Sequence, residues 1–224
     1  MLKIAVFISG SGTNLQSIID NCENENVNAK IQLVLSNEPD AFGIERAKKH
    51  NIPTVVVNHR DYSSRQDFED AICQSLKDYN IDLICLAGFM RVLTAHFLNQ
   101  FPNKVINIHP ALLPSFAGTQ GQQDAFDYGV KFTGCTVHFV DTGVDTGPII
   151  IQAVVPVKQD DTLDILKKRI LAQEHKIYPQ AIQYIAQGAV KISGNKVVID
   201  GLANTIANTL DFAEINPPAK IFDK

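Results

Sequence analysis

The chain opens with an apolar run, Ile4-Ala5-Val6-Phe7-Ile8, which breaks into Ser9-Gly10-Ser11-Gly12 and then into Thr13-Asn14-Leu15-Gln16-Ser17-Ile18-Ile19. Five consecutive apolar residues leave no polar face for water, so they suit a strand covered on both sides. The small polar residues that follow suit a glycine turn and a capped helix start. The same order recurs. Residues 31–35 lead through the turn cluster Ser36-Asn37-Glu38-Pro39 to a helical stretch at about 43–50. Residues 54–57 precede a helix at about 65–79, and residues 83–87 form a further apolar run. Repeated strand–helix units predict an α/β fold, Rossmann-like, with a mostly parallel sheet and right-handed crossovers.

The rhythm changes after residue 103. Residues 104–107 read as a short buried strand, whose period of two puts Asn107 and His109 on one face at its end; Pro110 then stops the ladder. A Pro/Gly-rich loop, 109–121, leads to a short helix reaching about Tyr128. Strands at 132–140 and 149–157 lie close enough in sequence to pair antiparallel. A long helix spans about 162–187, and residues 190–192 and 196–198 flank Ser193-Gly194-Asn195 as a hairpin. No repeat or linker divides the chain. The expectation is one domain with a first half of about 1–103, a second of about 104–200, and a polar tail from Asn208 that contains Pro217-Pro218 and is loosely attached.

Three side chains in the second half have the chemistry of acyl transfer. His109 can relay a proton near neutral pH, the Asp145 carboxylate can orient and charge it, and the Asn107 amide can donate to an oxyanion. Each has a plainer reading by itself: a packed histidine, a turn-forming aspartate between Gly143 and Gly147, a strand-end amide. The glycine loop is similarly two-sided. It lacks the third glycine and the ribose-binding acid of a dinucleotide fingerprint, and it has no Walker lysine. What remains is either a tight structural turn or a backbone site for one phosphate, in which case a side chain at Gly12 would meet the ligand. Gly88-Phe89-Met90-Arg91-Val92-Leu93 follows a buried strand, at the edge where open α/β sheets bind ligands. Met90 and Leu93 would there either flank a flat apolar slot around Arg91 or pack into the core. In the long helix Leu163, Leu166, Ile170, Ile177, Ala181 and Ile185 form a stripe that includes Glu174. A carboxylate on such a stripe needs a buried donor or a ligand.

Composition narrows the setting. A net charge of −4 without any Lys/Arg run argues against a nucleic-acid partner. Cys22, Cys73, Cys85 and Cys135 are scattered without a CxxC, which suits free thiols in a reducing compartment and offers no zinc site. Residues 1–9 read as a strand instead of a signal peptide, and no stretch reaches membrane-spanning length. The chain is expected to be cytoplasmic, with no membrane partner.

Taken together, Ile8-Ser9-Gly10-Ser11-Gly12-Thr13-Asn14-Leu15-Gln16, Ser36-Asn37, Ala87-Gly88-Phe89-Met90-Arg91-Val92-Leu93 and Asn107-Ile108-His109-Pro110-Ala111-Leu112-Leu113-Pro114 resemble, in order and spacing, the phosphoribosylglycinamide formyltransferase family of folate-dependent enzymes. Residues 134–140, Asp145-Thr146-Gly147-Pro148-Ile149 and Gln173-Glu174-His175 extend the resemblance over almost the whole chain. It implies a formyltransferase fold that transfers a formyl group from 10-formyltetrahydrofolate to the amine of 5-phosphoribosylglycinamide in purine synthesis, without a metal, as a monomer or homodimer. It further implies that Gly12, Thr13 and Asn14 hold the substrate phosphate and Glu174 its ribose. Arg65, Met90, Arg91, Val92, Leu93, Asn107 and Asp141 would bind the folate, and Asn107, His109 and Asp145 would carry the chemistry. A cis peptide is implied before Pro114. Some members of the family have two histidines where this chain has Thr119-Gln120-Gly121-Gln122, so a substrate role for that loop is not carried over. The alternatives are a 10-formyltetrahydrofolate hydrolase, which would carry an extra N-terminal domain, a formyltransferase acting on Met-tRNA, which would carry a basic C-terminal one, and a non-enzymatic nucleotide-binding module.

Overall fold

The apolar runs become the interior of a sheet. Strands β1 (Leu2–Ile8), β2 (Ala29–Ser36), β3 (Thr54–Val56), β4 (Leu83–Leu86), β5 (Val105–His109), β6 (Phe132–Phe139) and β7 (Ile149–Pro156) pair in the order β3-β2-β1-β4-β5-β6-β7. The computed structural model describes residues 1–201; the tail expected from Asn208 lies outside the described residues. The first five strands are mutually parallel, and β6 and β7 add antiparallel. The sheet is therefore mostly parallel with an antiparallel second part, as the strand spacing predicts. β8 (Val190–Ser193) and β9 (Lys196–Ile199) form the expected hairpin.

Helices α1 (Thr13–Glu23), α2 (Phe42–Lys49), α3 (Arg65–Leu76), α4 (Ala95–Leu98), α5 (Gly121–Tyr128) and α6 (Leu163–Ala186) complete the described fold. Successive residues of a strand face opposite ways, and β1 feeds two cores. Ile4, Val6 and Ile8 pack with Leu15 and Ile18 of α1 and with Leu166, Ile170 and Tyr178 of α6. Ala5 and Phe7 pack with Phe68, Ile72 and Leu76 of α3. Each wholly buried Ile or Leu contributes about 1.5–3 kcal/mol. The buried Tyr178 hydroxyl donates to Leu86 O (2.9 Å) and Ile106 O (3.3 Å), which fastens α6 across β4 and β5.

Two local expectations are corrected. The helix expected to reach Tyr79 ends at Leu76 and tightens into a 3-10 turn over Lys77–Tyr79, because Asn80 takes a left-handed conformation (φ 48). The four-residue α4 was not foreseen; one turn carries too little periodicity to read, and its start is set by the Thr94 side chain accepting from His96 N. The chain leaves β1 for β2 on one side and returns to β4 on the other. The loops after β1 and β4 thus flank a topological switch point, where such sheets bind ligands.

Candidate active site

The register of β5 on β6 places Asn107 opposite His138 and His109 opposite Thr136. Thr136 anchors the outgoing loop: its Oγ1 donates to Ala111 O (2.7 Å) and accepts from Leu113 N (3.1 Å) and Gln152 Nε2 (2.9 Å). The peptide between Leu113 and Pro114 is cis, as the resemblance implies.

His109 and Asp145 meet. His109 Nδ1 lies 3.2 Å from Asp145 Oδ2, and the imidazole is almost wholly buried. His109 Nε2 is 2.8 Å from Phe116 O. A carbonyl only accepts, so Nε2 carries a hydrogen and Nδ1 is the nitrogen turned to the carboxylate. Asp145 also accepts from Gly118 N (2.8 Å), and its Oδ1 lies 3.5 Å from Nε2 of His138. Burial works to raise the Asp145 carboxyl. Hydrogen bonds from His138 and Gly118 and the charge of the two imidazoles outweigh it and hold the group below the usual aspartate range. Asp145 sits at φ 55, a left-handed conformation that L residues other than Asn and Asp seldom adopt.

His138 is the member that sequence reasoning missed. Its Nδ1 donates to Phe139 O (2.8 Å), and its Nε2 is 3.4 Å from Asn107 Nδ2. With one proton, held on Nδ1, the ring accepts from Asn107; a second proton on Nε2 redirects it to Asp145. The signal was present in the apolar run Thr136-Val137-His138-Phe139-Val140: a histidine in a buried strand, on the face of Thr136. Only the β5–β6 register shows that this face meets Asn107 and His109.

The Phe116 carbonyl is held by a tight fit at the start of α5. A Cβ on Gly121 would stand 2.6 Å from Phe116 O and 3.0 Å from His109 Nε2. Gly121→Ala therefore has to push the carbonyl off the imidazole. Losing that bond is expected to lower kcat about 10-fold, given about 1.5 kcal/mol for one hydrogen bond to such a group. Steady-state kinetics beside a thermal melt checks this; an unchanged kcat would remove the carbonyl from the account.

At the other end, Gly12 precedes α1 without a side-chain cap (φ 68). The first N–H groups of α1 lack partners inside the helix, which suits an anion. The expectation that a Gly12 side chain would first meet a ligand is corrected. A Cβ there would lie 2.6 Å from Gly43 Cα, so the glycine is required by the contact of the loop with α2. Gly12→Ala is expected to cost about 1–3 kcal/mol of stability through the left-handed backbone and this overlap. It should impair both substrates together, as melts and paired KM values would show.

Glu174 is buried on α6, and its Oε2 accepts from Asn14 Nδ2 at 2.7 Å. The buried donor is thus a neutral amide from α1. Burial raises the Glu174 carboxyl above the usual range, and the Asn14 bond opposes this in part. Asn14 Oδ1 is buried without a partner. Thr13, beside it, is half-buried.

The slot after β4 differs from its expected form. Met90 and Val92 point outward (69% and 53% exposed), whereas Leu93 is buried in the core with Phe89. Leu93 can therefore offer a ligand only its backbone. Arg91 lies between the two exposed apolar residues, half-buried. Arg65 is exposed in the first turn of α3 and makes no hydrogen bond or ion pair among the described residues. Asp141 Oδ1 accepts from Gly143 N (3.0 Å) and Thr146 Oγ1 (2.7 Å), which braces the turn leading to Asp145. Among the described residues no group of three His, Cys, Asp or Glu side chains converges as a metal site, and no helix is long and apolar enough to cross a membrane.

Residues 2–182 match the formyl transferase family model. The chain is 43% identical over 203 residues to phosphoribosylglycinamide formyltransferase of Haemophilus influenzae, covering 91% of this chain and 96% of that protein. It is 46% identical over 193 residues to the human trifunctional purine biosynthetic protein adenosine-3; that match covers 86% of this chain but only 19% of the relative's length. The crystal structure of glycinamide ribonucleotide transformylase 1 from Symbiobacterium toebii superposes with a TM-score of 0.87 at 48% identity, covering 89% of this chain and 94% of that one. An imidazole–carboxylate pair at the end of β5, a free helix start after β1 and a match over 96% of a bacterial relative agree: the chain belongs to the phosphoribosylglycinamide formyltransferases of the formyl transferase family.

Proposed function

We propose that the protein transfers a formyl group from 10-formyltetrahydrofolate to the glycinamide amine of 5-phosphoribosylglycinamide, a step of purine synthesis. The observation that carries the reading is the contact of His109 with Asp145 beside Asn107, at the carboxyl ends of the central strands. The amine nitrogen forms a bond to the formyl carbon, whose oxygen takes up negative charge; the bond to the folate nitrogen then breaks as that nitrogen receives the proton the amine gives up. Asn107 donates to the oxyanion. His109 exchanges the proton at Nδ1, the nitrogen it turns to Asp145, while Phe116 O holds its Nε2–H. Asp145 orients the ring through its contact at Nδ1, and His138 Nε2 lies against both Asp145 and Asn107.

In this reading the first half, with Gly12, Thr13, Asn14 and Glu174, receives the ribonucleotide, and the second half supplies the chemistry. Arg65, Asp141 and the Met90–Leu93 segment receive the folate. The four cysteines are free, which supports a cytoplasmic setting. The test is an assay of the purified protein with formyl-folate, with and without the ribonucleotide. Formyl transfer that depends on the ribonucleotide is the expected result. Release of formate at the same rate in its absence would identify a hydrolase instead, and no turnover of either kind would leave a binding module.

A further inference from the structure

Outside the reacting groups, the least expected side chain is Glu69. It lies on α3 with no exposed surface, and both of its oxygens are spent on one residue: Oε1 accepts from Thr94 N (2.7 Å) and Oε2 from Thr94 Oγ1 (2.5 Å). A carboxylate in a core is costly unless bonded, and here the bonds fix the far end of the segment after β4. The near end is fixed from the other side. Met90 N donates to Ser9 Oγ (2.7 Å), Ser9 Oγ donates to the buried Asn37 Oδ1 (2.5 Å), and Ser9 N donates to Gly88 O (3.1 Å). Phe89 and Leu93 sink into the core between these anchors, Phe89 at 5.4 Å from the Phe7 ring. The result is a hoop tied at Gly88, Met90 and Thr94, from which Met90 and Val92 project.

We propose that Glu69 is a positioning residue for the formyl donor: through Thr94 it sets the Met90–Val92 hoop against which the folate lies. The proposal rests on the reading of that segment as the folate contact. Glu69 reaches the hoop from the α3 face of the sheet, whereas α1, with the proposed phosphate site, packs on the opposite face. Its effect is therefore specific to one substrate. In Glu69→Gln the amide oxygen can still accept from Thr94 N, but the NH2 cannot accept from the Thr94 hydroxyl, whose O–H loses its buried acceptor, and the tie at the hoop end is weakened.

Steady-state kinetics and thermal melts of Glu69→Gln, Thr94→Ala and Thr94→Ser provide the test. Glu69→Gln and Thr94→Ala are expected to raise KM for 10-formyltetrahydrofolate about 10-fold, the worth of about one hydrogen bond. KM for the ribonucleotide should stay within about twofold in the same variants. Thr94→Ser, which keeps both bonds, should behave as the parent. If Glu69→Gln does not fold, Thr94→Ala gives the same reading with the carboxylate retained. An unchanged donor KM in the folded variants, or an equal rise in both KM values with a lowered melting temperature, overturns the proposal. Met90→Ala and Val92→Ala separate the two levels. If neither alters the donor KM, the folate reading of the segment falls; if they do and Glu69→Gln does not, only the positioning role falls.

Discussion

Asp145→Asn is expected to lower kcat by about 100-fold to 10,000-fold, the range for disabling a proton-transfer group, with the fold kept. Asn is the informative substitution because Asp145 stands at φ 55, a conformation Asn tolerates and Ala does not; Asp145→Ala would add about 1–2 kcal/mol of backbone strain. His109→Ala should cost a similar factor. Because the two side chains touch and act as a unit, the double variant should be little worse than either single one. Multiplying losses in the double variant would mean that the pair does not act together. A stability measurement adds an independent check. The folded Asp145 carboxyl lies below the usual range, so its contribution is present above the unfolded pKa of about 3.9 and is lost as pH falls through the lower folded value. The gap in melting temperature between parent and Asp145→Asn should accordingly narrow on acidification from neutral pH. A gap independent of pH would contradict the assigned contacts.

Glu174→Gln should separate binding from stability. The partner of Glu174 is the neutral Asn14 amide, so the variant strands no buried cation, and a loss of about 3–5 kcal/mol, as for a broken buried ion pair, is not expected. The new amide can also donate to Asn14 Oδ1, which lacks a partner. The carboxyl is raised by burial. Its contribution to folding is therefore fully present below the unfolded pKa of about 4.3 and is lost as pH rises through the raised folded value. The parent should melt lower as pH rises across that window, and Glu174→Gln should not show that component. If Glu174 receives the ribose hydroxyls, KM for the ribonucleotide should rise about 10-fold to 100-fold, since a hydrogen bond to a charged acceptor is worth about 1.5–3 kcal/mol. An unchanged KM together with the flattened pH dependence would make Glu174 a purely structural partner of Asn14.

Much of this architecture was legible in short windows of the chain. Continuous apolar runs marked β1 and β4, a run broken only by Gln32 marked β2, three- and four-residue spacing marked α6, and Ser193-Gly194-Asn195 marked the β8–β9 turn. These signals are local, because helix and strand periods and turn chemistry act over a few residues. The spacing of Asn107 and His109 was enough to place both on one face of β5. Contacts that cross the chain were not legible. Nothing near Glu174 reveals that its donor is Asn14, 160 residues away, and nothing near Gly12 reveals Gly43 against its backbone. His138 joined the site only through the register of β6 on β5, where a slip of one residue would have turned it to the other face. Glu69 could be read from sequence as one more acid on a solvated helix, and burial on the far side of the sheet made it an anchor for Thr94. The sequence by itself determined the elements, their order and the residue types needed for acyl transfer. Tertiary packing decided which of those residues touch, because a contact depends on how distant segments are registered against one another and on what each must bury to get there.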